Sequence, residues 1–454
     1  MINNKQNIFP ICSQYIENAI KSFEIDLEKI SIRELNKLVD EVSKNNNVNF
    51  LRFEFGIPGL EPNKLAIKEE IRILKNKPHL IGTYPPFDGI PYLKKETASF
   101  VKNFLNINVS PQCCIPTVGA MHGGLICQSL AGRLRQSANT ILFLDPGFPV
   151  NKLQTKFLGL NHDSIDLYDF RGQKLLDELE RKLSNSLIGG VLWSSPNNPS
   201  WVCLKEEELE GIGKLLTKYD VIAIEDAAYL GMDFRIDYSV PSQPPYIPTI
   251  ANYTKNYFII ISSSKIFSYA GQRIAVTIIS PDLMEKRFPN LKDFYNTEKV
   301  GHAFVHGGIY PTTAGVSQTP QYALAALFEA SNKGKFSFFE DVNIYALRAN
   351  KLKKIFLKYG FHLVYAKDMD EPIGDGFYFT ISHPKFDSKN LLFEMLRYGM
   401  AGIPLETTGS RKEGVRICVS LISNDDMDEL EIRLELFKQN ISQQTGSENI
   451  SIKE

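Results

Sequence analysis

The stretch LKEEELEGIGKLLTKYDVIAIEDAAY, residues 204–229, joins a charged amphipathic segment to a short β-branched run that ends in polar residues. The first part (204–219) reads as a helix, and VIAIED (221–226) reads as a strand buried on both faces. The texture repeats on either side, in TILFLD (140–145), GGVLWSS (189–195), YFIIISSS (257–264) and IAVTIIS (274–280), most of them separated by helical segments. Repeated βα units require a mainly parallel sheet with helices on both faces, an α/β fold. In such folds the chemistry gathers at the carboxyl ends of the strands. Asp145, Ser194–Asn198, Asp226 and Ser262–Lys265 all stand at those ends and form the first candidate site.

Outward from this core the pattern changes. A chain of 454 residues exceeds what one hydrophobic core usually serves. Residues 51–330 are expected to form the large domain. Residues 1–50 and 331–454 are expected to form a smaller α+β domain, in which the charged, helical N-terminal segment packs with the C-terminal lobe. That lobe reads as a long helix (EDVNIYALRANKLKKIFLKYG), the strand GFYFTIS, a helix ending at Tyr398, VRICVSLIS and a final amphipathic helix. From about 441 the polar tail is expected to be disordered. VPSQPPYIP (240–248) reads as a surface loop, and no internal repeat is present.

Lys plus Arg (51) nearly balances Asp plus Glu (52), so no global field favours nucleic acid or an anionic membrane, and a small molecule is the expected partner. The six cysteines form no CxxC pair and share no metal-ligand spacing with the seven histidines, which predicts reduced thiols and no metal. The first 20 residues lack a basic region followed by an apolar one, and no stretch approaches the roughly 18 apolar residues of a membrane span. A soluble cytoplasmic protein is the expectation.

SSSKIFSYAGQR (262–273) carries the sharpest chemical signal. Hydroxyls and turn N–H groups around Ser262 and Ser264, with Arg273 eight residues after Lys265, suit a phosphate held beside an amine. On its own, this lysine could equally be a surface residue after a strand.

The S-x-S-K and A-G-x-R pattern resembles the lysine motif of fold-type I pyridoxal 5′-phosphate (PLP) enzymes, specifically class I/II aminotransferases. The likeness continues through TYPPFDGIPYLKK (83–95), PTVGAMHGG (116–124), DPGFP (145–149), SPNNPSW (195–201), EDAAY (225–229) and VRICVS (415–420), in family order. It implies a seven-stranded, mainly parallel sheet with a smaller α+β domain, and PLP as cofactor in a Schiff base with Lys265. By the same resemblance, Asp226 keeps the pyridine nitrogen protonated, Asn198 and Tyr229 bind the phenolic oxygen, and Phe148 stacks on the ring. Gly119, Ala120 and Met121 at a helix N-terminus, with Ser262, Ser264 and Arg273, would hold the phosphate. Tyr84 would reach the phosphate of a neighbouring subunit, implying a homodimer with shared sites. Arg416 would bind the substrate α-carboxylate, and Gly56 lies in the segment that closes over the substrate.

One position departs from the pattern. The family's N-P-[TS]-G reads Asn198-Pro199-Ser200-Trp201 here, so Trp201 either reshapes the pocket or caps a surface turn. The resemblance implies ping-pong transamination between an amino acid and a 2-oxo acid. No second arginine stands where a dicarboxylic substrate would need one, so a neutral aliphatic or aromatic donor is expected. His122, His302 and His306, and the helix containing Gln321, lie where they could line the entrance or serve structure alone. A PLP lyase, decarboxylase or racemase would use the same Lys, Asp and Arg. A regulator built on this fold would need a DNA-binding module, and no basic helix-turn-helix pattern precedes Arg52.

Overall fold

The computed structural model describes residues 9–448. The chain forms two compact units. The larger comprises Leu60–Ile344 and Asp368–Gly374; the described residues of the smaller fall within Met1–Gly59, Tyr345–Lys367 and Asp375–Glu454.

The larger unit is built on a seven-stranded sheet. Its spatial order is Cys114–Thr117, Ala275–Ile279, Tyr257–Ser262, Ile222–Ala227, Ile188–Ser194, Thr140–Asp145 and Asn161–Asp166. All neighbours run parallel except Ala275–Ile279, which is antiparallel to both of its partners. The central strands are buried along their length, as expected where helices cover both faces of the sheet. Helix Gly119–Ala131 places Ile126, Cys127 and Leu130 against Ile224, Phe258 and Ile260 of the sheet. Register aligns the strand ends: Ser194 lies opposite Asp226, and Ser262 opposite Ala275.

The segment Asp368–Gly374 belongs to the larger unit through one fully buried carboxylate. Arg171 Nη1 donates to Asp368 Oδ1 at 2.6 Å, while Arg235 Nη2 and the Cys203 N–H donate to Oδ2 at 2.7 and 3.2 Å. Arg171 also makes a bidentate pair with Glu208 (2.9 and 2.7 Å). Buried charges of this kind persist only when paired and hydrogen-bonded, and both conditions hold here.

In the smaller unit, Ile403–Pro404, Val415–Cys418, Tyr378–Ser382 and His362–Leu363 form an antiparallel sheet in that order. The N-terminal helices Ser13–Ser22 and Ile32–Asn46 bury Ile16, Leu35, Leu38 and Val39 with Leu392, Leu396 and Ile403. The second helix starts at a capping box: the Ser31 hydroxyl accepts from Glu34 N at 3.2 Å, and the Glu34 carboxylate accepts from Ser31 N at 2.8 Å.

The chain changes units at places other than 50/51 and 330/331. Leu51–Arg52 pairs in parallel with Met400–Ala401 of the smaller unit, which keeps the residues up to Gly59 there. Phe338 packs on Phe100, Phe104 and Phe267, which keeps 331–344 with the larger unit. Where a disordered tail is expected from about 441, the last helix runs Asn424–Glu448. Ile441 is buried, and its carbonyl accepts from Lys385 Nζ at 3.2 Å, which anchors the helix at that point. Residues 449–454 lie outside the described residues.

Candidate active site

Strand Tyr257–Ser262 ends in a single helical turn, Ser263–Ile266, that presents Lys265 half-buried. The turn is capped by Ser262, whose hydroxyl oxygen accepts from Ser264 N at 3.2 Å. Ser263 donates through its hydroxyl to the Ile274 carbonyl at 2.6 Å, tying the turn to the returning strand. Arg273 follows in the left-handed region (φ +50°), exposed, with Nη1 donating to the Ala270 carbonyl at 2.7 Å.

Gly119, Ala120 and Met121 form the first turn of helix Gly119–Ala131 rather than a loop before it, because Gly119 itself turns the chain at φ +70°. The left-handed φ is what favours glycine here, and a Cβ would in addition lie 2.5 Å from Arg273 Nη2. The helix N-terminus and the guanidinium therefore share one small space, with N–H donors and a positive charge together. His122 supports this turn: its Nδ1 accepts from Val118 N at 3.2 Å, and Nε2 lies 2.7 Å from Thr312 Oγ1. Burial lowers its pKa to about 4, so it is a neutral structural residue. His302, ending helix Val300–His302, and His306, in the π-helical segment Ala303–Ile309, are both exposed, with ring centroids 4.4 Å apart and tilted by 35°. Gln321 spends its side chain on the backbone of Ile90 and Val316, a structural role.

Asp226 ends strand Ile222–Ala227. It lines a cleft with Phe148, Asn151, Trp193 and Ser194. Its Oδ1 is shielded from solvent and has no hydrogen-bond partner among the described residues. Desolvation raises its pKa to about 6, against the lowering effect of the Ala228 N–H. A buried acceptor without a donor is costly, and a cationic N–H entering the cleft would satisfy it. Asp145, two strands away, pairs with Lys152 through Oδ2, while its Oδ1 is likewise buried without a hydrogen-bond partner among the described residues.

Asn198 is buried, and its N–H lies 3.4 Å from Ser194 Oγ. Trp201 does not cap a surface turn. It is 1% exposed and sits in the left-handed region at φ +63°. Its ring stands 5.4 Å from that of Tyr229 at 66°, edge-on. The backbone conformation explains why glycine suits this place; a side chain there costs about 1 kcal/mol, which burial of an indole offsets several-fold. Tyr84 is the opposite case, 84% exposed.

Within the smaller unit, Arg416 is 1% exposed, and its Nη2 donates to the Glu54 carbonyl at 2.7 Å. The guanidinium lies 4.5 Å from the Tyr378 ring centroid. A Cβ on Gly56 would meet the Tyr378 hydroxyl at 2.5 Å, so glycine lets the chain pass close to this pair. Tyr378 and Glu54 were not among the sequence candidates. Tyr378 faces the same side as its cross-strand neighbours, but nothing in GFYFTIS marks one aromatic as special. Among the described residues no group of three metal-ligating side chains occurs, and no helix is long and apolar enough to cross a membrane.

Solved structures share this architecture. The chain is similar to an aspartate aminotransferase from Thermotoga maritima (TM-score 0.71, 20% identity, covering 93% of this chain and 99% of that one). It is similar also to N-succinyldiaminopimelate aminotransferase from Mycobacterium tuberculosis (TM-score 0.70, 16% identity, 92% and 99%). The fold is that of the fold-type I aminotransferases. Residues 50–431 match the family Aminotransferase class I and II, and the chain belongs to it. Among curated relatives, a probable aspartate aminotransferase of Methanocaldococcus jannaschii is 24% identical over 50% of this chain and 56% of its own length. The glutamate-pyruvate aminotransferase AlaC of Escherichia coli is 23% identical over 52% and 55%. The chain thus spans about half the length of the curated relatives it matches.

Proposed function

We propose that the protein is a PLP-dependent aminotransferase moving an amino group between a neutral amino acid, aliphatic or aromatic, and a 2-oxo acid. The observation that carries this reading is the buried, unpartnered Oδ1 of Asp226 at the end of a central strand. It fits the protonated ring nitrogen of PLP, and the space shared by Arg273 and the Gly119 turn fits a phosphate. When bound, PLP supplies a ring that withdraws the electrons left on a substrate carbon.

The chain's own residues do the rest. Lys265 supplies the anchoring amine and then moves the proton at the substrate α-carbon. Ser262, Ser264, Arg273 and the N–H groups of Gly119, Ala120 and Met121 hold the phosphate. Asn198 and Tyr229 donate to the phenolic oxygen, and Phe148 covers a ring face. Arg416, held by the Glu54 carbonyl and the Tyr378 ring, binds the carboxylate of donor and acceptor in turn. Replacing Arg416 by alanine should raise KM for both substrates about 100-fold, with a smaller change in kcat, because each loses the same charged contact. A KM rise for one substrate alone would place its carboxylate elsewhere.

Purified protein with PLP should turn yellow, and a neutral amino donor should leave aminated cofactor and one equivalent of keto acid. Ammonia with keto acid, or carbon dioxide, would overturn transamination. Neutral donors are expected to exceed aspartate and glutamate in kcat/KM, since sequence offers no second arginine for a side-chain carboxylate; a preference for aspartate would overturn that choice.

The active unit is proposed to be a homodimer. The exposed Tyr84 shares a surface hollow with Leu74 and Ile81, both more than 40% exposed. Analytical ultracentrifugation should give twice the mass of one chain, and Tyr84→Phe should weaken PLP binding about tenfold while the mass stays the same. The six cysteines form no disulfide among the described residues, which suits a reducing compartment and supports a cytoplasmic site of action.

A further inference from the structure

We propose that Trp201 is a positioning residue: from the turn that carries Asn198, its indole holds the Tyr229 ring and so sets how strongly the Tyr229 hydroxyl acts on the cofactor. The inference rests on the PLP reading above and concerns a position where this chain departs from its family's pattern.

The turn is fixed from several sides. Trp201 N donates to the Asn197 carbonyl at 2.9 Å, and Ser200 Oγ donates to Asn197 Oδ1 at 2.8 Å. Asn197 Nδ2 in turn donates to the Pro146 carbonyl at 2.8 Å. Two residues beyond Trp201, the Cys203 N–H is held by Asp368. A left-handed backbone carrying a bulky side chain persists only where its surroundings over-determine it, and these bonds do so. The indole therefore projects from a rigid base.

What it meets is Tyr229, 5% exposed, edge-on at 5.4 Å. Aromatic pairs in this arrangement have a preferred geometry, so the indole restricts the tilt of the phenol ring. A glycine here would relax the backbone and leave one side of Tyr229 without a packing partner. The hydroxyl would then spend less time aligned as a donor. A donor to the phenolic oxygen favours its anionic form and weakens its hold on the proton it shares with the lysine nitrogen, which lowers the pH at which the cofactor's visible band titrates.

The test reads that pH midpoint in PLP-loaded wild type, Trp201→Gly, Trp201→Leu and Trp201→Phe, with thermal midpoints measured in parallel. The Gly and Leu variants should raise it by about one pH unit, and Phe, which keeps an aromatic edge, by less than half of that. In a Tyr229→Phe background the same changes at Trp201 should add nothing, since the effect runs through the hydroxyl. Leu keeps the experiment decisive if the Gly variant folds poorly. A wild-type band that titrates while Gly or Leu leaves it unmoved overturns the proposal alone, as does an undiminished shift in the Tyr229→Phe background. A wild type with no titrating band overturns the cofactor reading and this proposal with it.

Discussion

Lys265→Ala should abolish the yellow colour of the PLP-loaded protein and lower turnover by at least about 1,000-fold. The magnitude follows from two roles lost together. In the proposed reading the amine anchors the cofactor, and a positioned proton-transfer group contributes about 100- to 10,000-fold by itself. The turn should survive the change, because Ser262 caps it and Ser263 ties it to the Ile274 carbonyl. The thermal midpoint of the cofactor-free variant is therefore expected to match wild type. Absorbance at the visible band and steady-state turnover check the result, and full retained activity would sink the assignment. Lys265→Arg keeps the charge without a usable amine and should be equally inactive.

Asp226→Asn should have effects of opposite sign with and without cofactor. In the cofactor-free protein, burial raises the carboxyl from 3.8 to about 6. The folded state thus holds this proton more tightly than the unfolded one does. The associated stability is fully present below about pH 3.8 and is lost as pH rises through about 6. Above that the fold carries a buried charge at a cost of about 3 kcal/mol. Asparagine removes that cost, so the cofactor-free variant should melt a few degrees above wild type at pH 8, with the gap closing towards pH 4. Loaded with PLP the order reverses: asparagine cannot hold a proton on the ring nitrogen. Turnover should fall about 1,000-fold, and cofactor affinity at least tenfold. Calorimetry of both forms at several pH values, with turnover beside it, checks the pair. A cofactor-free Asn variant less stable than wild type at pH 8 would show that the carboxylate is satisfied in a way the orphaned Oδ1 does not suggest.

Much of this architecture was readable in the amino-acid order, for definite physical reasons. The central strands are buried on both faces, so VIAIED and YFIIISSS are almost wholly apolar and stand out. The edge strand Asn161–Asp166 (NHDSID) is mostly exposed with polar side chains, and no hydrophobic signal distinguishes it from a loop. The short strand Cys114–Thr117 contains a proline, which argues against a central position. The last helix was cut short because polar residues after Ile441 resemble a tail. Only the tertiary contacts of that isoleucine reveal the anchor.

The candidate site divides in the same way. Lys265, Asp226 and Arg273 were legible because their residue types carry the chemistry in their own side chains. Gly119 as the turning residue was not, since its role depends on a guanidinium far along the chain. Nor was Tyr378, which matters through its cross-sheet approach to Arg416 and Gly56. Trp201 was visible as an oddity, and its burial removes the surface turn as one of its two readings.

The return of Asp368–Gly374 has a consequence for how the protein is made. A nascent chain released up to Ile344 already contains every strand of the large sheet, yet Arg171 and Arg235 still lack the carboxylate they share. So does the peptide N–H of Cys203, just past the turn bearing Asn198 and Trp201. During synthesis this part of the proposed cofactor site must wait for residues that emerge later. A gene fragment cut at the apparent end of the sheet domain would produce a protein with its strands in place and that turn short of one of its anchors.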